Sequence, residues 1–318
     1  MTQKLTLESS PIELVRFEDS NFLIKRDDLL DEHFSGNKAR KLSYFLEHDF
    51  SHVKKLVSYG SVQSNSLYSM ATLAKLKQWQ LEFYVHNIPK WLQDNPIGNY
   101  AQALHLGARV LSWKSEDRDN VFSSINDFIQ DKEKGSSNST LFIPEGGHCE
   151  QAKYGIEKLA REIESYCQKE GIDEVLVMLP SGTGTTSLFL NSFLRHSKVD
   201  FSVITCACVG DEEYLKKQFS ELSNNPKDYP TILSTKKKYH FGKLYKEHYE
   251  LWSALKKQTD IEFDLLYDPI GWRCLLDYLK ESPHKNILYI HQGGLIGNQS
   301  MISRYKRNKS SKQTINVG

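Results

Sequence analysis

The chain has 318 residues, 39% hydrophobic and 25% charged, with a formal net charge of +1. This composition predicts a globular protein, the length suggests two domains, and the charge gives no electrostatic case for a nucleic-acid or membrane partner. No apolar run approaches the length of a membrane span, and the first residues lack the apolar core of a signal peptide, so a cytoplasmic protein is expected. The five cysteines form no CxxC pair, which predicts reduced thiols and no structural metal.

Strand-like and helix-like patterns alternate along the chain. In its first part we expect a strand over 22–26, a helix over 38–48, a strand over 54–59, a helix that begins near residue 65, a strand over 81–86, a helix that ends at 107 and a strand over 109–113. The segment 131–139 is polar and rich in turn residues, which makes it the best candidate boundary between domains. After it we expect a helix over 150–169, a strand over 174–180, a helix through 188–193, strands at 202–209, 263–267 and 286–291, and helices near 211–221, 244–257 and 271–280. Several strands are apolar on both faces, which predicts an α/β fold with open parallel sheets covered by helices.

Lys38 is the first candidate catalytic residue. It follows Gly36 and Asn37 in the expected first turn of a helix, where exposed N–H groups carry partial positive charge. A second positive charge is disfavoured there, so the pKa of the amine should fall, and the free amine can act as a general base or form a Schiff base with a carbonyl cofactor. The same spacing is also compatible with a solvated lysine in a basic first turn, beside Arg40 and Lys41.

The loop Ser181-Gly182-Thr183-Gly184-Thr185-Thr186-Ser187 is the candidate phosphate site. Its glycines let the backbone approach an anion, its hydroxyls are donors, and the helix that follows contributes the field of its N-terminus. It lacks the Gly-Lys-Ser/Thr ending of a Walker A loop and the third glycine of a dinucleotide fingerprint. A plain strand-to-helix turn is the alternative interpretation.

Polar residues occur at two further strand ends. Gln63-Ser64-Asn65 follows the strand over 54–59, at the kind of junction where parallel sheets bind ligands. Ser64 lacks the flanking glycines of a nucleophile elbow. His291-Gln292-Gly293-Gly294 closes the last strand.

Four motifs together resemble a known family. They are Lys25-Arg26-Asp27-Asp28, Gly36-Asn37-Lys38-Ala39-Arg40-Lys41-Leu42, Val62-Gln63-Ser64-Asn65 and the Gly/Thr loop. In the same order, over about residues 10–300, the chain resembles the 1-aminocyclopropane-1-carboxylate deaminase/D-cysteine desulfhydrase family. That resemblance implies a pyridoxal-phosphate enzyme of the tryptophan synthase β-like fold (fold type II), with two open twisted sheets flanked by helices.

The resemblance also implies roles for particular residues. Lys38 would form the Schiff base and act as acid and base at the substrate α-carbon, with Ser64 as a second catalytic residue. Asn65 would hydrogen-bond the ring hydroxyl, Gln63, Ser64 and Asn65 would bind the substrate, and the phosphate would be held by Gly182, Thr183, Gly184, Thr185 and Thr186. Residues 1–42 and 141–318 would form a large cofactor-binding domain and 43–140 a small one, in a homodimer that acts on a small amino acid.

The chain departs from the family between Asp268 and Cys274. Gly271 stands at the place of the family's active-site tyrosine, and Trp272 at the place of the deaminases' cofactor-facing glutamate, where it is expected to shape the substrate pocket. Gln292 replaces a threonine expected beside the ring nitrogen. Tyr239, Tyr245 and Tyr267 are candidates to replace the lost phenol.

These departures rank the functions. A neutral amide does not stabilise a protonated pyridine as a glutamate does, and cyclopropane opening makes the heavier demand on electron withdrawal. We therefore expect α,β-elimination of D-cysteine or a related β-substituted amino acid. The alternatives are 1-aminocyclopropane-1-carboxylate deamination and a catalytically silent binding protein of the same fold.

Overall fold

The computed structural model describes residues 6–113, 127, 129, 139–235 and 237–315, which form two sheets and the helices around them. The strands are β1 (Ile12–Phe17), β2 (Ser20–Arg26), β3 (Lys55–Tyr59), β4 (Gln80–Val85), β5 (Arg109–Ser112), β6 (Thr140–Phe142), β7 (Glu174–Ser181), β8 (Asp200–Ala207), β9 (Thr231–Leu233) and β10 (Ile287–His291). The helices are α1 (Gly36–Glu47), α2 (Asn65–Lys77), α3 (Lys90–Asp94), α4 (Gly98–His105), α5 (Ala152–Glu170), α6 (Thr185–Leu194), α7 (Glu212–Leu222), α8 (Lys246–Thr259), α9 (Asp268–Glu281) and α10 (Gly297–Ile315). None of these helices is long and apolar enough to cross a membrane.

The larger sheet has the strand order β1-β2-β10-β7-β8-β9, and the smaller one the order β5-β4-β3-β6. All neighbouring strands are parallel except β1 and β2, which form an antiparallel pair at one edge. Strand β10 is buried along its whole length, as expected of a strand covered by helices on both faces. The predicted α/β fold with two helix-flanked sheets is confirmed.

The sequence prediction was wrong in one segment and incomplete in others. Residues 263–267 form no strand, because the Asp264 carboxylate accepts hydrogen bonds from the amides of Leu266 (2.8 Å) and Tyr267 (2.6 Å) and bends the chain into a turn. The elements β1, β6, β9, α3 and α10 were not predicted. Residues 131–138 of the predicted boundary lie outside the described residues, and the domain division itself stays a prediction.

Helix α1 begins in close contact with the chain that follows β10. The Asn37 amide donates to the Gln292 carbonyl at 3.1 Å. Gly36 has φ +68°, and a Cβ on it would lie 2.0 Å from the same carbonyl oxygen. Only glycine fits this approach without a shift of the backbone. Gly36 therefore sets the position of Lys38 relative to the end of β10.

A buried ion network fixes the other side of α1. Arg40 donates to both carboxylate oxygens of Asp27, at 2.8 and 3.0 Å, and to both of Glu162 on α5, at 2.6 and 2.7 Å. Lys25 on β2 donates to Glu162 at 2.6 Å. Arg40 and Lys41, the basic neighbours of Lys38 in this turn, are 1% and 2% exposed, so neither is solvated. Two of the motifs that carry the family resemblance therefore meet in one network that ties α1 to β2 and α5.

Candidate active site

Lys38, Asn65 and Gln292 line one pocket. Its walls come from the starts of α1 and α2, from Asn99 on α4, from the segment between β2 and α1, and from the residues after β10. Three residues that the sequence analysis selected from separate motifs thus converge. Gln292 is held in place by two bonds, since its Oε1 accepts from Asn37 Nδ2 (2.8 Å) and its Nε2 donates to the Pro180 carbonyl (2.6 Å).

The amine of Lys38 has the lowered pKa that the sequence predicted. Burial lowers it to about 8, against the opposing charges of Glu145 and Asp264, which favour the protonated form. The main cause is loss of solvent around the amine, which disfavours its charged form. With this pKa, about a tenth of the amine is neutral at pH 7, and that fraction is available as a nucleophile or base.

Lys41 is a second buried amine, one helical turn after Lys38. Burial, and next the positive charge of Lys38, lower the pKa of Lys41 well below its ordinary value. Its Nζ lies 3.9 Å from the point that a Cβ on Gly146 would occupy, and Thr183 contacts the same point at 3.3 Å. Lys41 Nζ and Thr183 of the Gly/Thr loop therefore both lie against Gly146, and an anion bound there would stabilise the charged form of Lys41.

The Gly/Thr loop has the geometry of an anion site. Gly184 has φ +70° and caps α6, which begins at Thr185, so the amides of the first turn are turned toward the loop. A Cβ on Gly184 would lie 2.4 Å from the Phe219 ring, which explains the glycine. Thr183 and Thr185 share a hydrogen bond of 3.0 Å, and His148 Nδ1 lies 2.8 Å from Thr185 Oγ1.

These residues fit pyridoxal phosphate at both ends. One buried amine is free for an aldehyde, and the second lies beside a loop of helix N-terminal amides and hydroxyls that suits a phosphate dianion. The hydroxyl of Thr186 is buried and has no hydrogen-bond partner in the described part of the chain. Buried polar groups without partners are costly, so a polar ligand that satisfies this hydroxyl is expected.

Replacing Thr186 with valine tests this fit. The change keeps the shape and removes a hydroxyl that is unsatisfied in the described part of the cofactor-free protein, so the thermal stability of that form should stay the same or rise slightly. Affinity for pyridoxal phosphate should fall about tenfold, because a hydrogen bond to a charged group is lost. Absorbance titration measures the affinity. Thr259→Val, at the end of α8, is the control, and equal affinities in both variants would contradict the placement of the phosphate.

Ser64 and Gln63, unlike Asn65, do not line the pocket of Lys38. The Ser64 hydroxyl accepts from the Leu67 amide at 3.2 Å and caps α2, so in this structure it stabilises the helix that carries Asn65. The substrate-binding and catalytic roles of Ser64 and Gln63 stay predictions.

Trp272 requires a correction. It is fully buried in the core of the larger sheet, stacked on Tyr289 at 4.6 Å between ring centroids and in edge contact with Phe22 at 4.9 Å. It does not line the pocket, so we reassign it from substrate binding to the core. Its neighbour Gly271 is covered as well, since a Cβ there would lie 2.6 Å from the Tyr289 hydroxyl, and a tyrosine at position 271 would not fit this packing.

Tyr267 lies beside the Gly/Thr loop. It stands four residues before Gly271, one turn earlier on the same face at the start of α9, and its hydroxyl lies 3.5 Å from the point that a Cβ on Gly182 would occupy. Tyr239 and Tyr245 instead contact each other, at 4.9 Å between ring centroids, and pack around His248. Of the three tyrosines proposed from sequence, Tyr267 is therefore the one whose hydroxyl approaches the Gly/Thr loop.

Sequence reasoning missed Asp264, Asn99 and the part played by Lys41. Asp264 is 4% exposed and its charge faces Lys38, but it lay inside the predicted strand 263–267. The available signal was a carboxylate within an otherwise apolar run, Phe263 to Leu266, because an unpaired buried charge is costly and usually has a function or a partner.

Comparisons with known proteins agree with this geometry. No family model matches the chain. A protein of Arabidopsis thaliana named bifunctional D-cysteine desulfhydrase/1-aminocyclopropane-1-carboxylate deaminase, mitochondrial, is 24% identical over 292 residues, which cover 86% of this chain and 72% of that protein. A putative 1-aminocyclopropane-1-carboxylate deaminase of Thermotoga maritima is 24% identical over 313 residues, covering 92% and 96%.

A solved structure shares the fold. The crystal structure of a protein described as an ACC deaminase homologue superposes with a TM-score of 0.74 at 20% identity, covering 93% of each chain. The resemblance found in the sequence motifs is thereby confirmed over most of the chain, and the fold is that of the fold type II pyridoxal-phosphate enzymes.

Proposed function

We propose that the protein is a pyridoxal-phosphate-dependent lyase that converts D-cysteine, or a related amino acid with a leaving group on the β-carbon, to a 2-oxo acid and ammonia. The observation that carries the proposal is the Lys38 amine, whose pKa is lowered to about 8, in one pocket with Asn65. Relatives named D-cysteine desulfhydrase and 1-aminocyclopropane-1-carboxylate deaminase support it.

The chain supplies attachment and orientation. Lys38 would hold the cofactor aldehyde, the Gly182–Thr186 loop and Lys41 its phosphate, and Asn65 its ring hydroxyl. When bound, the cofactor withdraws electrons from the substrate α-carbon. The substrate amine would take the place of Lys38 on the cofactor, and the released neutral Lys38 amine would accept the α-proton at Nζ. For D-cysteine, one water is consumed, and the products are pyruvate, hydrogen sulfide and ammonia.

Tyr267 would handle a proton at the β-carbon side. Burial, and next the nearby Asp264, raise the pKa of its phenol, so the hydroxyl keeps its proton at neutral pH and acts as a donor. A donor beside the loop suits a departing sulfur, which leaves more readily when it is protonated.

Replacing Tyr267 with phenylalanine should therefore lower kcat about 100-fold. Binding of the cofactor should be nearly unchanged, since the ring and its packing remain. Tyr245→Phe, in the cluster around His248, is the control and should keep wild-type kcat. Steady-state pyruvate release measures both, and a wild-type kcat for Tyr267→Phe would remove the phenol from the mechanism.

Product analysis tests the activity itself. The purified protein is supplied with pyridoxal phosphate and incubated separately with D-cysteine, L-cysteine and 1-aminocyclopropane-1-carboxylate. We expect pyruvate and sulfide from a cysteine. Release of 2-oxobutanoate from the cyclopropane substrate would favour the deaminase alternative. A protein that binds the cofactor but yields no 2-oxo acid from these or from other β-substituted amino acids would be the silent binding protein.

Assembly, location and domain limits are proposed from the resemblance. We infer a cytoplasmic homodimer with a large domain of residues 1–42 and 141–318 and a small domain of 43–140. Sedimentation equilibrium tests the dimer, and limited proteolysis tests the boundary near residue 140.

A further inference from the structure

The Asn65 side chain is held from two sides. Its Oδ1 accepts a hydrogen bond from Asn99 Nδ2 at 2.7 Å, and Asn99 is 1% exposed and also donates to the Gln63 carbonyl at 3.1 Å. On the other side, the Asn65 Nδ2 faces Asp264. A Cβ on Gly294 would lie 2.2 Å from this Nδ2 and 3.1 Å from Asp264 Oδ2, so both atoms lie close to Gly294.

An ionised Asp264 has no proton to donate, so it can only accept a hydrogen bond from Asn65. Its Oδ1 already accepts from the amides of Leu266 and Tyr267, which leaves Oδ2 for Asn65. Burial raises the pKa of Asp264 to about 6, and the hydrogen bonds from Tyr267, Leu266 and Asn65 oppose this rise. The carboxylate is therefore mostly ionised at neutral pH.

The hydrogen bonds of the Asn65 side chain determine which of its atoms remain available to a ligand. With Oδ1 on Asn99 and one N–H on Asp264, the amide retains one N–H donor. A donor suits an anionic oxygen, whereas the reversed amide would present an acceptor and repel it. We propose that Asp264 and Asn99 are positioning residues that hold the Asn65 amide in one orientation, with an N–H directed to the ionised hydroxyl of the bound cofactor.

This inference rests on the proposed cofactor and adds a second effect of Asp264. The charged groups that face Asp264 are Lys38 on α1 and Asp268 on α9, with the neutral phenol of Tyr267 beside it. Of these, Lys38 is the cation, and the Asp264 charge raises its pKa. Removing the carboxylate should therefore lower the pH at which the visible band of the lysine-bound cofactor changes.

The test compares Asp264→Asn, Asn99→Asp and the double exchange. In Asp264→Asn the new oxygen can keep the two backbone bonds, so the new amide N–H groups face Asn65 Nδ2 and force the Asn65 amide to reverse. Asn99→Asp forces the same reversal from the other side. In the double exchange both side-chain contacts of Asn65 again pair a donor with an acceptor, with the Asn65 amide reversed, while the Gln63 carbonyl loses the donor that Asn99 supplied.

Three quantities are measured for each protein: thermal unfolding without cofactor, the Kd for pyridoxal phosphate by absorbance titration, and the pH midpoint of the visible band. We expect both single variants to bind at least tenfold more weakly, with the midpoint lowered in Asp264→Asn. The double exchange should recover part of the unfolding temperature that each single variant loses, but not the affinity.

Recovery of both stability and affinity in the double exchange would overturn the proposal, because a satisfied network alone would then suffice. Wild-type affinity and midpoint in Asp264→Asn would overturn it too. If the single variants fail to fold, the double exchange alone decides. A wild-type protein without any visible band after addition of the cofactor would remove the proposed function and this inference together, whereas an unchanged band in the variants would remove only the inference.

Discussion

Lys38→Ala is expected to abolish the covalent attachment of pyridoxal phosphate and to lower 2-oxo acid production at least 1,000-fold, since it removes both the attachment point and the base. Borohydride reduction followed by peptide mapping should place the label of the wild-type protein on Lys38. Lys41→Met is the matched control, because it removes the other buried amine of α1. It should keep the visible band and weaken only the affinity for the cofactor. A label on Lys41, or a band in Lys38→Ala, would contradict the assignment.

The rate of attachment should depend on pH in a way that identifies the same amine. Because the pKa of Lys38 is lowered to about 8, its neutral fraction rises about tenfold per pH unit below 8 and levels off above it. Stopped-flow absorbance between pH 6 and 10 measures this rate. An ordinary lysine would continue to gain rate beyond pH 9, and that result would show that burial does not tune this amine.

Arg40→Met is expected to lower the free energy of unfolding by about 3–5 kcal/mol, because it leaves the buried carboxylate of Asp27 without its cation. Asp27 is 1% exposed and receives two bonds from Arg40. The double variant Arg40→Met/Asp27→Asn should recover about half of the loss, since it removes the uncompensated charge. Urea unfolding of the cofactor-free protein measures these values.

A surface ion pair provides the comparison for this prediction. Arg161 pairs with Glu157 on the exposed face of α5 at 2.6 Å, and Arg161→Met should leave the urea midpoint unchanged because solvent screens such pairs. If Arg40→Met is as stable as Arg161→Met, the network does not anchor α1. If the double variant is no more stable than the single one, the cost comes from packing rather than from charge.

The anchor also bears on the site. Lys38 lies on the same helix as Arg40, and the helix is bounded by the network on one side and by the Gln292 carbonyl on the other. A reacting amine must be held within a fraction of an ångström to act efficiently. The ion network of Arg40 therefore stabilises the fold and also holds α1, and with it Lys38, in position.

Local sequence patterns determined the fold class and two parts of the candidate site. The alternation of apolar strands and amphipathic helices is set by backbone periodicity, so the α/β fold followed from sequence. Lys38 and the Gly/Thr loop followed from their places at strand-to-helix junctions, where N–H groups are exposed whatever the rest of the chain does. The motifs around these residues were also enough to indicate the family.

Tertiary structure decided what each side chain meets. Trp272 and Tyr267 are both aromatic residues near one family motif. Trp272 stacks on Tyr289 in the core, whereas the Tyr267 ring lies against Gly182. Asp264 breaks a strand-like run because its carboxylate bonds the amides that follow it, and it meets Asn65 from a distant part of the chain. Such contacts depend on distances between segments, and sequence spacing does not contain those distances.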